Sequence, residues 1–209
     1  MGTIASKQQQ RKAPAAPRAS DTISSTIVIG AGCYWGTEKY IRKDFQKRFP
    51  NSIKSATVGF MSPDPQPRFR KPTYQQVCSG ITGHVEVLKV ELNDPAAHLE
   101  EMLRFFFMFH DPTTRNRQGN DRGSQYASWI FCADDKQTEI ARRVRDELQR
   151  FVDAGVIRTY EGRTVTTAVT ELREFTPASE AHQRYLEKHP RGYCNHRFRF
   201  RDWPMLVKN

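Results

Sequence analysis

Apolar side chains recur along this chain with two different periods, and the periods divide it into elements. Residues 25–30, Ser-Thr-Ile-Val-Ile-Gly, form a β-branched run closed by glycine, the pattern of a buried strand. After Tyr34, the residues Ile41, Phe45 and Phe49 recur every four positions and predict a helix to Phe49, ended by Pro50-Asn51. Residues 53–59 read as a second strand, and 61–72, with Pro63, Pro65, Pro67 and Pro72, as a loop. Residues 85–92 alternate and predict a strand. Asp94-Pro95 opens a helix that turns Leu99, Leu103 and Phe106 inward. Residues 111–125 are polar and glycine-bearing, a long loop of the kind that carries function. A strand follows at 127–132. Then comes a helix capped by Asp134 or Asp135 with Ile140, Val144 and Leu148 inside, a strand at 165–172 and a short helix at 177–188.

The order β-α-β-β-α-β-α-β-α predicts an α+β fold in one domain. We expect a two-layer sandwich around a mixed sheet, with a split β-α-β, ferredoxin-like core and an irregular C-terminal segment. Composition agrees: 209 residues suit one domain, and 37% hydrophobic against 27% charged residues is enough for a core. Residues 1–24 are rich in Gln, Ala, Pro and Ser and predict a disordered basic tail before a domain at 25–190. Residues 191–209 predict a mobile basic segment.

The net charge of +10 lies mostly at the ends. Lys7, Arg11, Lys12 and Arg18 face only Asp21 in the first tail, and Lys188, Arg191, Arg197, Arg199, Arg201 and Lys208 face only Asp202 at the other end. The body between them is close to neutral. That argues against a dedicated nucleic-acid groove and leaves weak membrane contact through the N-terminal tail as an expectation. Met1-Gly2-Thr3-Ile4-Ala5-Ser6 matches a myristoylation pattern, and the acid-poor tail also fits a transit peptide. An ordinary tail on a cytoplasmic, monomeric protein is the plainer expectation. Four cysteines without paired spacing fit neither a disulfide framework nor a zinc ribbon, and suit a reducing compartment with one or two useful thiols.

Candidate chemistry begins at Gly30-Ala31-Gly32-Cys33-Tyr34-Trp35-Gly36, between the first strand and first helix. A helix start has free N–H groups and a positive dipole end, so Cys33 is expected to have a lowered pKa and to be reactive. The competing reading is a buried, inert cysteine. A dinucleotide fingerprint fits poorly, because the spacing of Gly30, Gly32 and Gly36 is loose and the second strand ends without an acidic residue. Tyr34 and Trp35 form an apolar wall suited to a methyl or thioether group. On the strand at 85–92, Glu86 shares a face with Leu88, Val90 and Leu92. A carboxyl in such a row has its pKa raised and can act as a general acid; at a frayed strand start it would pair in solvent instead. Tyr74, Tyr126 and Asp121 lie in or beside loops, where a phenol can donate to a polarised oxygen. No histidine pattern or Cys pair suggests a structural metal site.

These residues resemble the peptide methionine sulfoxide reductase A family. The resemblance rests on the cysteine turn, on Tyr74-Gln75-Gln76-Val77-Cys78-Ser79-Gly80 with Gly83-His84-Val85-Glu86-Val87, and on the run from His110 to Tyr126. It extends from about Ile27 to Cys194. It implies reduction of methionine S-sulfoxide, free or in proteins, without metal or organic cofactor and with thioredoxin as reductant. Cys33 would be the nucleophile, Glu86 the proton donor and Cys194 the recycling cysteine, so that a sulfenic acid and then a disulfide form on the enzyme. Tyr34 and Trp35 would hold the substrate methyl, Tyr74 and Tyr126 would bond its oxygen, and Asp121 would support the polar side. Cys78 and Cys132 would be structural. The chain departs from the family at Phe60-Met61-Ser62, where a glycine pair is usual, in the proline-rich stretch that follows, and at Ala127, where arginine is common. It also has no cysteine after Cys194. Two other readings stay open: a thiol hydrolase with Cys33 activated by His84 or His182, and a basic RNA- or membrane-binding module working through its ends.

Overall fold

The computed structural model describes residues 22–205. Strand β1 (Thr26–Ala31) is buried from Ile27 onward and leads into α1 (Tyr34–Lys39). That helix loosens into a π-helical stretch, Tyr40–Phe45, and ends in α2 (Gln46–Arg48), so the helix expected as one piece has three parts. Then come β2 (Ile53–Met61), the short α3 (Tyr74–Cys78), β3 (Val85–Leu92) and α4 (Pro95–Phe109). A two-residue hairpin, β4 (Arg117–Gln118) with β5 (Asp121–Arg122), stiffens the long loop, followed by a 3-10 turn at Ser124–Tyr126. The chain closes with β6 (Ser128–Cys132), α5 (Asp135–Asp153), β7 (Ala168–Glu171), β8 (Phe175–Pro177) and α6 (Tyr185–Lys188).

The main sheet has the order β7-β6-β1-β3-β2-β8, antiparallel except where β6 meets β7. It is the expected mixed sheet, and its central strands β6-β1-β3-β2 with their two connecting helical stretches form the split β-α-β core. The π-helical stretch, α4 and α5 bury Ile41, Leu103, Phe106, Val144 and Leu148 against one face. Val28, Met61, Val85, Val87 and Phe131 make a smaller cluster on the other. Asp94 and Asp134 cap α4 and α5 by accepting from the N–H groups of Ala97 and Gln137. None of the described helices is long and apolar enough to cross a membrane.

Three expectations need correction. The helix predicted over 177–188 shrinks to Tyr185–Lys188, because Pro177 ends an edge strand. An edge tolerates a residue without an N–H, and beyond it Gln183 bonds both the N–H and the carbonyl of Val58, in the manner of another strand. Helix α3 and the β4–β5 hairpin were not anticipated, since both are too short to leave a periodic signature. The C-terminal segment is irregular, as expected, but is held rather than mobile up to Trp203. Phe198, Phe200 and Trp203 pack on the core, and the N–H groups of Arg197 and Arg199 donate to the carbonyls of Phe109 and Met108. The N-terminal tail to Asp21, with its lipidation pattern and membrane contact, lies outside the described residues.

Arg199 also reaches buried Asp111 at 3.5 Å, and Asp111 accepts from the N–H groups of Thr113 and Glu161. Asp111→Ala strands a buried guanidinium and two N–H groups, so it should cost about 3 kcal/mol, seen as a lower urea midpoint. An unchanged midpoint would mean that this pair does not hold the segment.

Candidate active site

Cys33 sits at the N-terminal boundary of α1, 8% exposed, with the N–H groups of Trp35 and Gly36 bonded toward its sulfur. Two glycines make this position attainable. Gly32 has φ +92 and would drive a Cβ to 2.5 Å from the Gln118 side chain. At Gly36 a Cβ would lie 2.0 Å from Nδ1 of His196, which is packed beneath the turn with Nε2 2.7 Å from the Ala31 carbonyl.

Glu86 projects from β3 opposite Phe60 of β2 and is 2% exposed. Its Oε2 accepts the Tyr34 N–H at 3.0 Å, which places the carboxyl beside the first helical residue and therefore beside Cys33. Burial pushes its pKa up to about 8; the Tyr34 bond opposes this and the Asp121 charge adds to it. The expectation of a neutral acid in an apolar row holds. The expectation for Cys33 does not. Burial is the largest effect on the thiol, the Glu86 charge adds to it, and the two N–H groups do not offset them, so its pKa is raised.

An aromatic basin lies over this pair. The Tyr34 ring is 5.7 Å from Phe60 and 6.4 Å from Trp35. Trp35 stacks on Tyr185 at 3.8 Å and on His182 at 5.5 Å. Nδ1 of His182 is 3.3 Å from the Trp35 indole N–H and 2.9 Å from the Tyr34 hydroxyl. An indole only donates, so Nδ1 accepts and the ring proton sits on Nε2. Tyr74 faces the same ring at 4.4 Å, and its hydroxyl is bonded to Cys78. Cys78, expected to be structural, thus belongs to the wall. Tyr126 is half-buried and feels the charges of Glu86 and Cys33. His84 is bonded to the Thr82 carbonyl through Nδ1, and His182 and His196 are engaged as described. Among the described residues no imidazole is committed to Cys33, so the histidine-activated thiol has no support here.

Asp121, whose charge reaches Cys33, Glu86 and Tyr126, has contacts to the C-terminal segment as well. Its carboxylate accepts from the Tyr193 hydroxyl at 3.0 Å and from Asn195 Nδ2 at 2.6 Å, the residues on either side of Cys194. Cys194 is exposed and, like the other three cysteines, reduced. Asp121 thus clasps the segment that carries the second thiol.

Sequence reasoning missed Tyr185, Asn195 and Glu38, gave Phe60 and Tyr193 no part in the site, and offered His182 only as a base for Cys33. Glu38 is 2% exposed on α1; Oε2 accepts the N–H of Arg184 at 2.7 Å, while Oε1 has no partner. Arg184 has φ 53, so Glu38 stabilises the left-handed residue between His182 and Tyr185 and seats the Trp35 platform. Burial raises the Glu38 pKa to about 7. Its available signal was a carboxyl one turn beyond Tyr34 and Trp35 in a short helix.

The family profile described as peptide methionine sulfoxide reductase matches residues 25–206. A peptide methionine sulfoxide reductase MsrA of Methanothermobacter thermautotrophicus is 39% identical over 169 residues, covering 79% of this chain and 88% of that protein. One from Lachnoclostridium phytofermentans is 34% identical, covering 83% and 93%. Among solved structures, reduced Mxr1 from Saccharomyces cerevisiae superposes with a TM-score of 0.70 at 31% identity over 88% of this chain and 96% of that one. Methionine sulfoxide reductase A of Corynebacterium diphtheriae gives 0.65 at 35% identity over 81% and 77%.

A carboxyl whose folded pKa is raised stabilises the fold while protonated, fully so below its ordinary value of 4.5, and loses that contribution as pH rises through the folded value. Stability to urea should therefore fall between pH 6.5 and 8, by up to about 1.4 kcal/mol per pH unit for each such group. Buried His110 and His196, held down to about 3 and 4, titrate below this window. Glu86→Gln should flatten the slope. Identical slopes for both proteins would show that Glu86 is ionised in the fold.

Proposed function

The chain belongs to the peptide methionine sulfoxide reductase family and is an enzyme that reduces methionine sulfoxide; we propose that it acts on the S-epimer, in proteins and as the free amino acid, through Cys33 and Glu86. The observation that carries this reading is the bond from the Tyr34 N–H to Glu86, which sets a neutral carboxyl next to a buried thiol.

A sulfoxide oxygen leaves poorly until it is protonated. With the substrate methyl against Tyr34, Trp35 and Phe60, the S–O oxygen faces Glu86, with the Tyr74 and Tyr126 hydroxyls as further donors. The Glu86 proton passes to that oxygen as the Cys33 sulfur bonds to the substrate sulfur. The proton lost by Cys33 returns to the Glu86 carboxylate, so the acid is restored. The substrate S–O bond then breaks as its hydroxyl passes to the Cys33 sulfur, the transient bond between the two sulfurs breaks with it, and methionine leaves while Cys33 is left as a sulfenic acid. The Cys194 thiol then condenses with it, forming a disulfide and releasing water. Asp121, through Tyr193 and Asn195, presents Cys194 for that step.

Thioredoxin is the reductant in this proposal: its two thiols are oxidised as the enzyme disulfide is reduced by exchange. Yeast Mxr1, similar to this chain, has also been solved in complex with Trx2. Repair of oxidised proteins by a cytoplasmic monomer, as part of the response to oxidative stress, completes the reading.

Cys33→Ser should abolish methionine release from the S-sulfoxide. Cys194→Ser should still release about one methionine per enzyme in a single turnover, because the first step needs no second thiol. Equal loss of that burst in both variants would contradict the assigned roles. Asp121→Asn weakens the clasp on Cys194, so the burst should persist while disulfide formation, followed by thiol titration, slows several-fold. A slowed burst with unchanged disulfide formation would return Asp121 to the substrate.

A further inference from the structure

A cavity of the described residues lies apart from Cys33. It has a volume of about 600 Å³, and its lining includes Ser62, Asp64, Arg70, His84, Arg173 and Glu174. One wall is the proline-rich stretch after β2, where the chain departs from the family pattern.

Its position follows from strand register. Met61 pairs with Val85 across β2 and β3, so Ser62 and His84 stand one step beyond Phe60 and Glu86, past the same strand ends. Alternate residues share a face, and two extended residues span about 7 Å. The cavity therefore begins about one side-chain repeat from the pair that walls the active site. An extended polypeptide with its oxidised methionine at Cys33 carries neighbouring side chains at the same interval.

Among the described residues, the one buried side-chain polar atom of this lining without a partner belongs to a cation, Nε of Arg173. Arg70 has no ion-pair partner among the described residues, and its carbonyl is held by the Thr176 hydroxyl at 3.4 Å. Arg173 reaches exposed Glu171 through Nη1 at 3.2 Å, while its Nε is buried without a partner. Arg68 and Lys71 add charge to the same stretch. Of the two carboxylates, Asp64 already accepts the Gln66 N–H at 2.8 Å and Glu174 lies beside His84. His84 is buried, with Nδ1 committed to Thr82.

We infer that this cavity is a subsite for the polypeptide flanking an oxidised methionine and that it selects an acidic side chain there. The inference rests on the reading that methionine sulfoxide is reduced at Cys33. Free methionine sulfoxide is too short to reach the cavity, so it reports on the chemistry alone.

The test compares kcat/KM, with dithiothreitol as reductant, for free methionine S-sulfoxide and for two blocked pentapeptides with central methionine S-sulfoxide, flanked by glutamates in one and lysines in the other. The glutamate peptide should be favoured about five-fold, the scale of one partly exposed ion pair. Arg70→Glu should reverse that preference and leave the free amino acid unchanged, whereas Lys47→Glu, an equal charge change on an exposed residue outside the cavity, should not. Equal use of both peptides, or reversal by Lys47→Glu as well, would overturn the subsite while leaving the reductase intact. So would a loss in Arg70→Glu that free methionine sulfoxide shares. No turnover of any of the three substrates would overturn the underlying reading, and the subsite with it.

Discussion

The 3.0 Å hydrogen bond from the Tyr34 N–H to Glu86 joins the helical layer to the sheet where a carboxyl has been taken out of water. Burying an isolated carboxylate is expensive, and a single N–H does not offset the cost, so the group is held as an acid. That requirement constrains its surroundings. The residue opposite must be apolar, as Phe60 is. The helix must begin close enough for its first N–H to reach β3, which needs a tight turn at Gly32 and close packing at Gly36. The residue at that turn, Cys33, then shares the same dry space.

A second constraint comes from the end of α4. A helix leaves its last four carbonyls without partners inside the helix. Here Nδ1 of His110 meets the Phe106 carbonyl, the Tyr160 hydroxyl meets Phe107, and the N–H groups of Arg199 and Arg197 meet Met108 and Phe109. Two of the four partners belong to the C-terminal segment. Satisfying the helix therefore draws that segment across the molecule, brings His196 under the cysteine turn and leaves Cys194 two residues away. The address of the second thiol is thus set by a helix end remote from it in sequence.

These constraints explain what could be read in advance. Alternation in β3 revealed the face of Glu86, and glycines around Cys33 revealed the turn, because both are local patterns. The four-residue spacing in α4 and α5 likewise placed their inner faces. The 177–188 stretch misled because Pro177 suits a helix start and an edge strand equally, and only the presence of β2 beside it decides. Glu38 and Tyr185 stayed hidden, and the place of His182 in the aromatic wall with them, because their roles consist of contacts between residues remote in sequence. The C-terminal segment looked free because its glycine and charge signal mobility, while its partners are backbone carbonyls, which composition does not report.

The thiol shows how a correct local rule can lose to packing. A cysteine at a helix start should be acidic, and the N–H groups of Trp35 and Gly36 do favour its charged form. Yet α1 is only six residues long, and the same turn that orients those groups seals the sulfur from water. Desolvation prevails, so thiol and carboxyl both rest protonated. Under the proposed chemistry this arrangement has a use. A standing thiolate beside an ionised Glu86 would face repulsion and lack a proton donor. Two neutral groups hold both protons the exchange needs, and charge develops only when a sulfoxide dipole is seated between them. Burial then defers the reactivity of Cys33 until a substrate shaped for the aromatic basin is seated beside it.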